Sequence, residues 1–205
     1  MALAHKRLAY EPVPIPFTGI AEVEGGVSKI IPVIRDADQI VADSFEIALY
    51  LERAYPDAPS LFGGFGGEAM ARFIERWCIL TIHPFIAQAA LMDIHNRLAP
   101  KDQRFFRRSR EARFDQKLED VPVGRDEKRQ AFRESLEPLR SLLDHQSYLG
   151  GNDPLFCDYI VFGTLQWARI ISPYEFLGRD DPVSEWFQRC LNLHGGAGLS
   201  VPAAT

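Results

Sequence analysis

The residues best suited to chemistry lie in one segment, residues 29 to 56, which spells KIIPVIRDADQIVADSFEIALYLERAYP. Pro32 interrupts a run of β-branched residues that otherwise predicts a strand. A proline forfeits a ladder hydrogen bond, so Pro32 predicts either an edge strand or bulge, or a cis peptide bond after Ile31. In the second case the N–H and C=O of Ile31 would turn outward, where a peptide-like ligand could pair with them as an added strand.

The pair Asp43-Ser44 stands at the start of a predicted helix and allows two interpretations. The simpler one is a helix cap. The other is a ligand site, because unpaired N–H groups at a helix start attract a carboxylate, the Ser44 hydroxyl adds a donor, and the Asp43 carboxylate can bind an ammonium. Together these groups would bind a zwitterionic α-amino acid, about one strand away from Ile31. A γ-glutamyl peptide has that shape.

The elements that must position these residues alternate between extended runs and a helix up to about residue 62. YEPVPIPF is predicted to be extended, and the turn DAD between two β-branched runs predicts a hairpin. The helix that follows has Asp43 and Glu46 as a predicted capping box and ends at Pro56. Four glycines in SLFGGFGGE predict an interdomain linker. We therefore expect an α/β domain over residues 1–62, a linker over 63–67 and an all-α domain over 68–205.

The helical domain is predicted from apolar stripes at helical spacing. Met70, Phe73, Ile74 and Trp77 form the first stripe, and Pro84 is expected to kink or break that helix. Trp77 is predicted to lie in the core, or else to border a hydrophobic pocket between the domains. Further helices are expected over about 101–118, across 132–143, after residue 158 and after Asp181, which precedes Pro182 as a cap.

Composition narrows the classes of function. The chain has 205 residues, 46% of them hydrophobic and 25% charged, which is typical of a globular protein. A formal charge of -5 argues against nucleic-acid binding, and no run approaches the ~18 apolar residues of a membrane span. The basic run from Arg104 to Arg113 predicts a solvated helix face or a local anion patch. Three widely spaced cysteines, Cys78, Cys157 and Cys190, predict buried thiols in a reducing cytoplasm and no metal site.

The segment from residue 29 to residue 56 also carries a family resemblance. Ile31-Pro32-Val33-Ile34, then Ile40 to Ser44, then the helix ending at Tyr55-Pro56 resemble the glutathione-binding half of the glutathione transferases. The later run LGGNDPLFCDYIVFGTL resembles the C-terminal helix signature of that family. Asp158 matches its acidic residue, whereas Leu155 stands at the cap position and has no capping group. The spacing of FTGI at 17–20 and PSLFGG at 59–64 is most similar to the bacterial β-etherase-like branch.

The resemblance implies a role for each matching residue. Ile31, which precedes the cis-proline Pro32, would pair with the cysteinyl part of glutathione, and Asp43 with Ser44 would hold the γ-glutamyl end. Lys29 is the nearest cation for the glycine carboxylate. The family also implies an N-terminal thioredoxin-like domain, here incomplete, followed by an all-helical domain. It implies glutathione as co-substrate, a small hydrophobic electrophile as the second substrate, and a homodimer.

The first residues resemble the end of the family's first helix and its second strand. The resemblance therefore implies that about twenty residues are absent, namely the first strand and the start of the first helix. The loop in that region carries the family's thiol-activating Ser, Tyr or Cys, so no catalytic residue is assigned here. Ser28, Thr18 and Tyr10 are the other hydroxyls expected near the site. Strand edges left open in this way are expected to be rearranged or completed by a partner chain.

Two functions from different classes follow. The first is a glutathione transferase that conjugates glutathione to a hydrophobic electrophile, with the β-etherase-like type as its particular form. The second is a non-catalytic glutathione-binding or interaction module, since the activating residue is unassigned. A glutaredoxin-like thiol–disulfide oxidoreductase is disfavoured, because the predicted site has no nearby cysteine.

Overall fold

The computed structural model describes all residues, 1–205, as a small N-terminal α/β unit followed by a helical domain. The N-terminal unit contains α1 (Ala2–His5), a 3-10 segment (Phe17–Gly25), β1 (Val33–Asp36), β2 (Gln39–Ala42) and α2 (Ser44–Ala54). The helical domain contains α3 (Phe65–Trp77), a π-helical segment (Cys78–Ile82), α4 (His83–Ala89), α5 (Leu91–Arg97), α6 (Pro100–Phe114), α7 (Arg125–Glu134), α8 (Glu137–Leu143), α9 (Phe156–Ile171), α10 (Pro182–Gly196) and a final 3-10 turn (Ala197–Ser200).

The sheet consists of one antiparallel hairpin. Strands β1 and β2 pair in a register that runs from Val33 opposite Ala42 to Asp36 opposite Gln39, as the turn DAD predicts. The extended run YEPVPIPF forms no strand, so the second strand that the resemblance implies for this segment is not present. Prolines at three of its alternate positions have no N–H to donate, and no neighbouring strand in the chain offers a partner.

Some helices begin or end at residues other than those predicted from the sequence. α3 begins at Phe65, earlier than the predicted start near Glu68. Near Pro84 the α pattern is interrupted by the π-helical segment just before α4, whereas the bend of 60° in this region lies between Ala89 and Leu91. α6 ends at Phe114, since Asp115 adopts a left-handed conformation with φ of 53°. The Asp181 carboxylate accepts a hydrogen bond from Val183 N, which confirms the predicted cap of α10.

The predicted helix across residues 132–143 is two helices. α7 ends at Glu134 and α8 begins at Glu137, with a proline in its first turn.

No single helix of this chain is both long and apolar enough to cross a membrane. The bent pair Phe65–Ala89 and Leu91–Arg97, taken together, has the length and composition of a membrane span.

The two units share a hydrophobic core. A cluster of buried residues joins α2 to the loop before α3 and to the start of α9; it contains Phe45, Ile47, Ala48, Leu51, Leu61, Phe62, Ala71, Phe156 and Tyr159. A larger cluster lies within the helical domain and includes the fully buried Trp186. Because α2 packs directly on α9, the start of α2 is held at a fixed position beside the helical domain.

Polar contacts attach the N-terminal segments to α2 and α6. The Lys6 ammonium is buried, lies 2.8 Å from a carboxylate oxygen of Glu52 in α2, and donates to the Tyr55 carbonyl at 3.1 Å. The backbone N–H of Thr18 donates to the buried Asp102 carboxylate of α6 at 2.8 Å. These contacts tie the chain on either side of the proline-rich run to different helices.

Candidate functional site

The loop before β1 presents unpaired backbone groups. The peptide bond between Ile31 and Pro32 is cis. Neither the N–H nor the C=O of Ile31 has a hydrogen-bond partner in the chain, and the residue is 51% exposed. The neighbouring Pro32 carbonyl accepts a hydrogen bond from Asp43 N at 3.2 Å. This bond places the open backbone of Ile31 beside the start of α2.

The start of α2 is capped by one oxygen of Asp43. Its Oδ1 accepts hydrogen bonds from Phe45 N at 2.8 Å and from Glu46 N at 3.2 Å, while Oδ2 has no partner in the chain. Asp43 adopts a φ of 77°, a conformation that is rare for a residue with a side chain. The adjacent Ser44 is exposed, and neither its N–H nor its hydroxyl has a partner. An anion-binding backbone and a free carboxylate oxygen therefore lie next to each other.

The predicted capping box is only half present. Asp43 caps the helix as expected, but the Glu46 side chain pairs instead with the Arg72 guanidinium of α3 at 3.0 Å. That guanidinium lies 3.5 Å from the ring centroid of Phe45. The contact fixes α3 against the first turn of α2.

The other candidates from the sequence divide into free and engaged groups. Lys29 is exposed, two residues before Ile31, and makes no ion pair. The Ser28 hydroxyl donates to the Ile30 carbonyl and accepts from the Ile30 N–H, so it is occupied by its own turn. Tyr10 is 55% exposed and lies outside any element of secondary structure.

A cavity of about 350 Å³ lies between the two units. Ser44 contributes to it from α2, and the remainder of its wall comes from α3, the π-helical segment, α4 and one face of α9. Its lining residues are Ser44, Glu75, Cys78, Ile79, His83, Phe156, Tyr159, Ile160, Gly163, Thr164 and Trp167. Trp167 lines this cavity and Trp77 does not, although both tryptophans pack against the core of the helical domain.

Burial sets the protonation of the groups around this cavity. The pKa of Glu75 is raised, first by burial and then by the nearby Asp43 charge. Burial also raises the pKa of the Cys78 thiol, which shares a 3.1 Å hydrogen bond with the Thr164 hydroxyl. Burial lowers the pKa of His83, whose ring stacks on Trp167 with centroids 4.9 Å apart. The wall is therefore mostly uncharged and contains four aromatic rings, with one acidic side chain, Glu75.

Sequence reasoning missed most of the cavity wall. The α9 members, among them Ile160, Gly163 and Trp167, recur at helical spacing on one face. That spacing is equally typical of a stripe buried in the core. A glycine within an otherwise apolar face was the one signal that this face meets open space.

In this two-unit fold the start of α2 lines an interdomain cavity through Ser44, and the loop with unpaired backbone groups at Ile31 lies beside that helix start. The family model described as "Glutathione S-transferase, C-terminal domain" matches residues 69–191. The chain belongs to the glutathione S-transferase family. Its N-terminal unit is thioredoxin-like, with a two-stranded sheet, and the all-α domain follows it, as the sequence predicts.

Particular relatives support the same family. Glutathione S-transferase Z1 of Arabidopsis thaliana is 35% identical over 66 residues, which are 30% of this chain and 30% of that protein, so the match spans less than a third of the curated relative. The crystal structure of glutathione transferase GSTFuA3 from Phanerochaete chrysosporium is similar with a TM-score of 0.73 and 26% identity, covering 95% of this chain and 82% of that one.

A structure of a Ceriporiopsis subvermispora glutathione S-transferase in complex with glutathione has a TM-score of 0.70 and 25% identity, over 95% of this chain and 84% of that one. The structural likeness thus extends across both units of the chain. The family model, by contrast, matches the helical domain.

Proposed function

We propose that this protein is a glutathione transferase that joins the thiol of glutathione to a hydrophobic electrophile. One observation carries the proposal. The unpaired backbone of Ile31 and the open start of α2 at Asp43-Ser44 lie together, and Ser44 lines the interdomain cavity. The glutathione bound in the Ceriporiopsis subvermispora relative supports glutathione as the co-substrate here.

Each part of the tripeptide has a group of complementary chemistry. The N–H and C=O of Ile31, beside Pro32, pair with the cysteinyl backbone. The N–H and hydroxyl of Ser44 bind the γ-glutamyl carboxylate, and the free Oδ2 of Asp43 accepts from the ammonium. The exposed Lys29 binds the glycine carboxylate. These assignments concern binding, and the residue that activates the thiol stays unassigned.

In the reaction the glutathione sulfur forms a bond to an electrophilic carbon, and the bond to the leaving group breaks with its electron pair. The thiol proton is lost before the attack, because the thiolate is the nucleophile and a free thiol has a pKa of about 8.5. The apolar wall around Ile79, Ile160 and Trp167 binds the electrophile by removing its surface from water. The electrophile therefore meets the sulfur at the mouth of the cavity.

The finer assignments are part of the same proposal. The spacing of FTGI and PSLFGG supports the β-etherase-like branch, in which the leaving group is a phenolate. The two domains span residues 1–62 and 68–205, and residues 63–67 link them. The proposed location of the protein is the cytoplasm. The competing proposal is a glutathione-binding module without turnover, supported by the absence of an assigned activating group.

We further propose a homodimer. Phe65 is 98% exposed, and Met70, Phe73 and Leu80 are 56%, 64% and 66% exposed along α3 and the π-helical segment. Large apolar groups exposed at this spacing on one helical face indicate an interaction surface. A second copy of the chain would cover this face, and sedimentation of Phe73→Glu compared with wild type tests the assignment. The variant is expected to sediment as a monomer.

Turnover of 1-chloro-2,4-dinitrobenzene with glutathione tests the function. We expect Ser44→Ala to raise the KM for glutathione about tenfold, because a hydrogen bond to a charged group contributes ~1.5–3 kcal/mol. Ser147→Ala, at an exposed serine outside the cavity, is the matched control and is expected to behave as wild type. Binding of glutathione without any turnover would favour the non-catalytic module. An unchanged KM in Ser44→Ala would contradict the site.

A further inference from the structure

Gly163 is the one position on the cavity face of α9 that carries no side chain. The helix lines the cavity with residues spaced three or four apart, and Gly163 lies in the middle of that series. A Cβ built on Gly163 meets no atom within 4 Å, so neither a close backbone approach nor a neighbouring side chain requires glycine there. Glycine inside a helix is less stable than alanine. Without a side chain, Gly163 leaves the space above α9 open to the cavity.

The wall next to this opening is flat and aromatic. The His83 ring stacks on Trp167 with an interplanar angle of 16°, and both rings line the cavity. The Thr164 hydroxyl and the Cys78 thiol are engaged with each other. The neighbouring Ile160 adds a purely apolar surface. A ligand placed here therefore meets planar and apolar groups.

The dimensions of the cavity suit a ring. A protein cavity of ~150 Å³ lined by apolar side chains is enough to bind benzene. The cavity here has a volume of about 350 Å³, which leaves space for a ring with substituents. A leucine side chain at Gly163 would occupy the part of this space that lies directly over α9.

We propose that Gly163 is a specificity-determining residue, which leaves room for a flat aromatic ring to lie against the backbone of α9 beside Trp167. The proposal rests on the proposed function, because the ring belongs to the electrophile that glutathione attacks. The proposed function alone does not predict a role for Gly163. This inference predicts that the reaction with aromatic electrophiles depends on Gly163 and that the reaction with small alkyl electrophiles does not.

The test uses the full chain and the variants Gly163→Ala and Gly163→Leu. The matched control is Gly66→Leu, at an exposed glycine in α3 whose added Cβ also meets nothing within 4 Å. The first readout is binding of the unreactive ring 1,3-dinitrobenzene, followed by quenching of tryptophan fluorescence. The second is kcat/KM for 1-chloro-2,4-dinitrobenzene and for iodomethane. The third is the Kd for glutathione.

We expect Gly163→Leu to weaken dinitrobenzene binding about tenfold or more, and Gly163→Ala to weaken it by about twofold to fivefold, following the volume filled. The rate with iodomethane and the Kd for glutathione are expected to stay within about twofold of wild type. If Gly163→Leu fails to fold, the Gly163→Ala result decides.

Two results separate this inference from the proposed function. If the Gly163 variants lose dinitrobenzene binding but the wild-type protein does not bind glutathione, the ring site is supported and the transferase assignment is contradicted. Wild-type dinitrobenzene binding in both Gly163 variants, or an equal loss with both electrophiles, would overturn the inference and leave the transferase assignment standing.

Discussion

The indole Nε1 of Trp186 in α10 donates a hydrogen bond to Asp158 Oδ1 of α9 at 2.9 Å, and both residues are fully buried. The same carboxylate accepts from the backbone N–H groups of Leu149, Gly150 and Leu155 at 2.7 to 3.0 Å. Asp158 therefore joins the start of α9, the loop before it and α10 at one buried point.

Replacing Asp158 tests how much this point stabilises the fold. Asp158→Ala is expected to lower the free energy of unfolding by about 3–5 kcal/mol, because it leaves several buried donors without an acceptor. Urea denaturation measures the loss. Asp158→Asn retains one acceptor oxygen and is expected to lose less. A loss below about 1 kcal/mol in Asp158→Ala would contradict the role assigned to the carboxylate.

The buried Lys6 ammonium, directly after α1, provides a second test. Lys6→Met leaves Glu52 without its partner and removes the bond to the Tyr55 carbonyl, so we expect a loss of about 2–4 kcal/mol. Adding Glu52→Gln removes the unpaired charge. The double variant is therefore expected to lose less than the sum of the two single variants. Strict additivity in urea denaturation would show that the pair is not coupled.

Two glycines with the same open surroundings are predicted to respond in opposite ways to alanine. Gly163→Ala is expected to raise the free energy of unfolding by about 0.5–1 kcal/mol, because alanine restricts the unfolded chain and fits an ordinary helical backbone. Gly64 has a φ of 120°, so Gly64→Ala is expected to be destabilising. Thermal unfolding of both variants checks the signs, and a destabilised Gly163→Ala would contradict the open space above α9.

The hydroxyl of Tyr159 links two histidines from opposite ends of the chain. It lies 2.7 Å from His5 Nδ1 and 2.8 Å from His194 Nε2. The other His5 nitrogen, Nε2, is 3.0 Å from the Ser60 carbonyl. Because a carbonyl only accepts, His5 Nε2 carries a hydrogen and donates there. When His5 is neutral, its Nδ1 accepts from the Tyr159 hydroxyl, which in turn accepts from His194 Nε2.

Stability is therefore predicted to depend on pH. Burial is the main cause that lowers the pKa of His5 and of His194 in the folded protein. In the unfolded chain a histidine has a pKa of about 6.5, so the folded state binds fewer protons just below that pH. The stability that these residues contribute is present above pH ~6.5 and is lost as the pH falls through the folded pKa values.

Urea denaturation at pH 7.5 and at pH 5.5 measures this dependence. His194→Gln keeps a donor for Tyr159 and removes one titrating ring, so its loss of stability at the lower pH is expected to be smaller than that of wild type. His83 titrates in the same direction in both proteins and cancels in the comparison. An equal loss in the two proteins would contradict the role given to His194.

The sequence was sufficient for the elements whose signals are local. The hairpin followed from β-branched runs around a short turn, and the cap of α10 followed from Asp181 before Pro182. The segment from Ile31 to Ser44 carried the family resemblance, because those residues are close in the chain as well as in space. The family model then confirmed the family through the helical domain.

The parts that sequence reasoning missed depend on partners distant in the chain. Whether Tyr10 belonged to a strand depended on a neighbouring strand, and the chain provides none. Glu46 was expected to cap its own helix, yet Arg72 of α3 competes for it. The cavity face of α9 has the spacing of a core stripe, and only the positions of α3 and α4 opposite it decide that it faces open space.

The central claim is that Asp43 and Ser44 bind the γ-glutamyl end of glutathione, and calorimetric titration tests it most directly. Wild-type protein is expected to bind glutathione and to bind cysteinylglycine, which lacks the γ-glutamyl group, at least about tenfold more weakly. Asp43→Asn is expected to remove most of that difference, because the amide keeps a capping oxygen and loses the charge that attracts the ammonium. Equal affinity of the wild-type protein for the two peptides, or no binding of glutathione, would contradict the account.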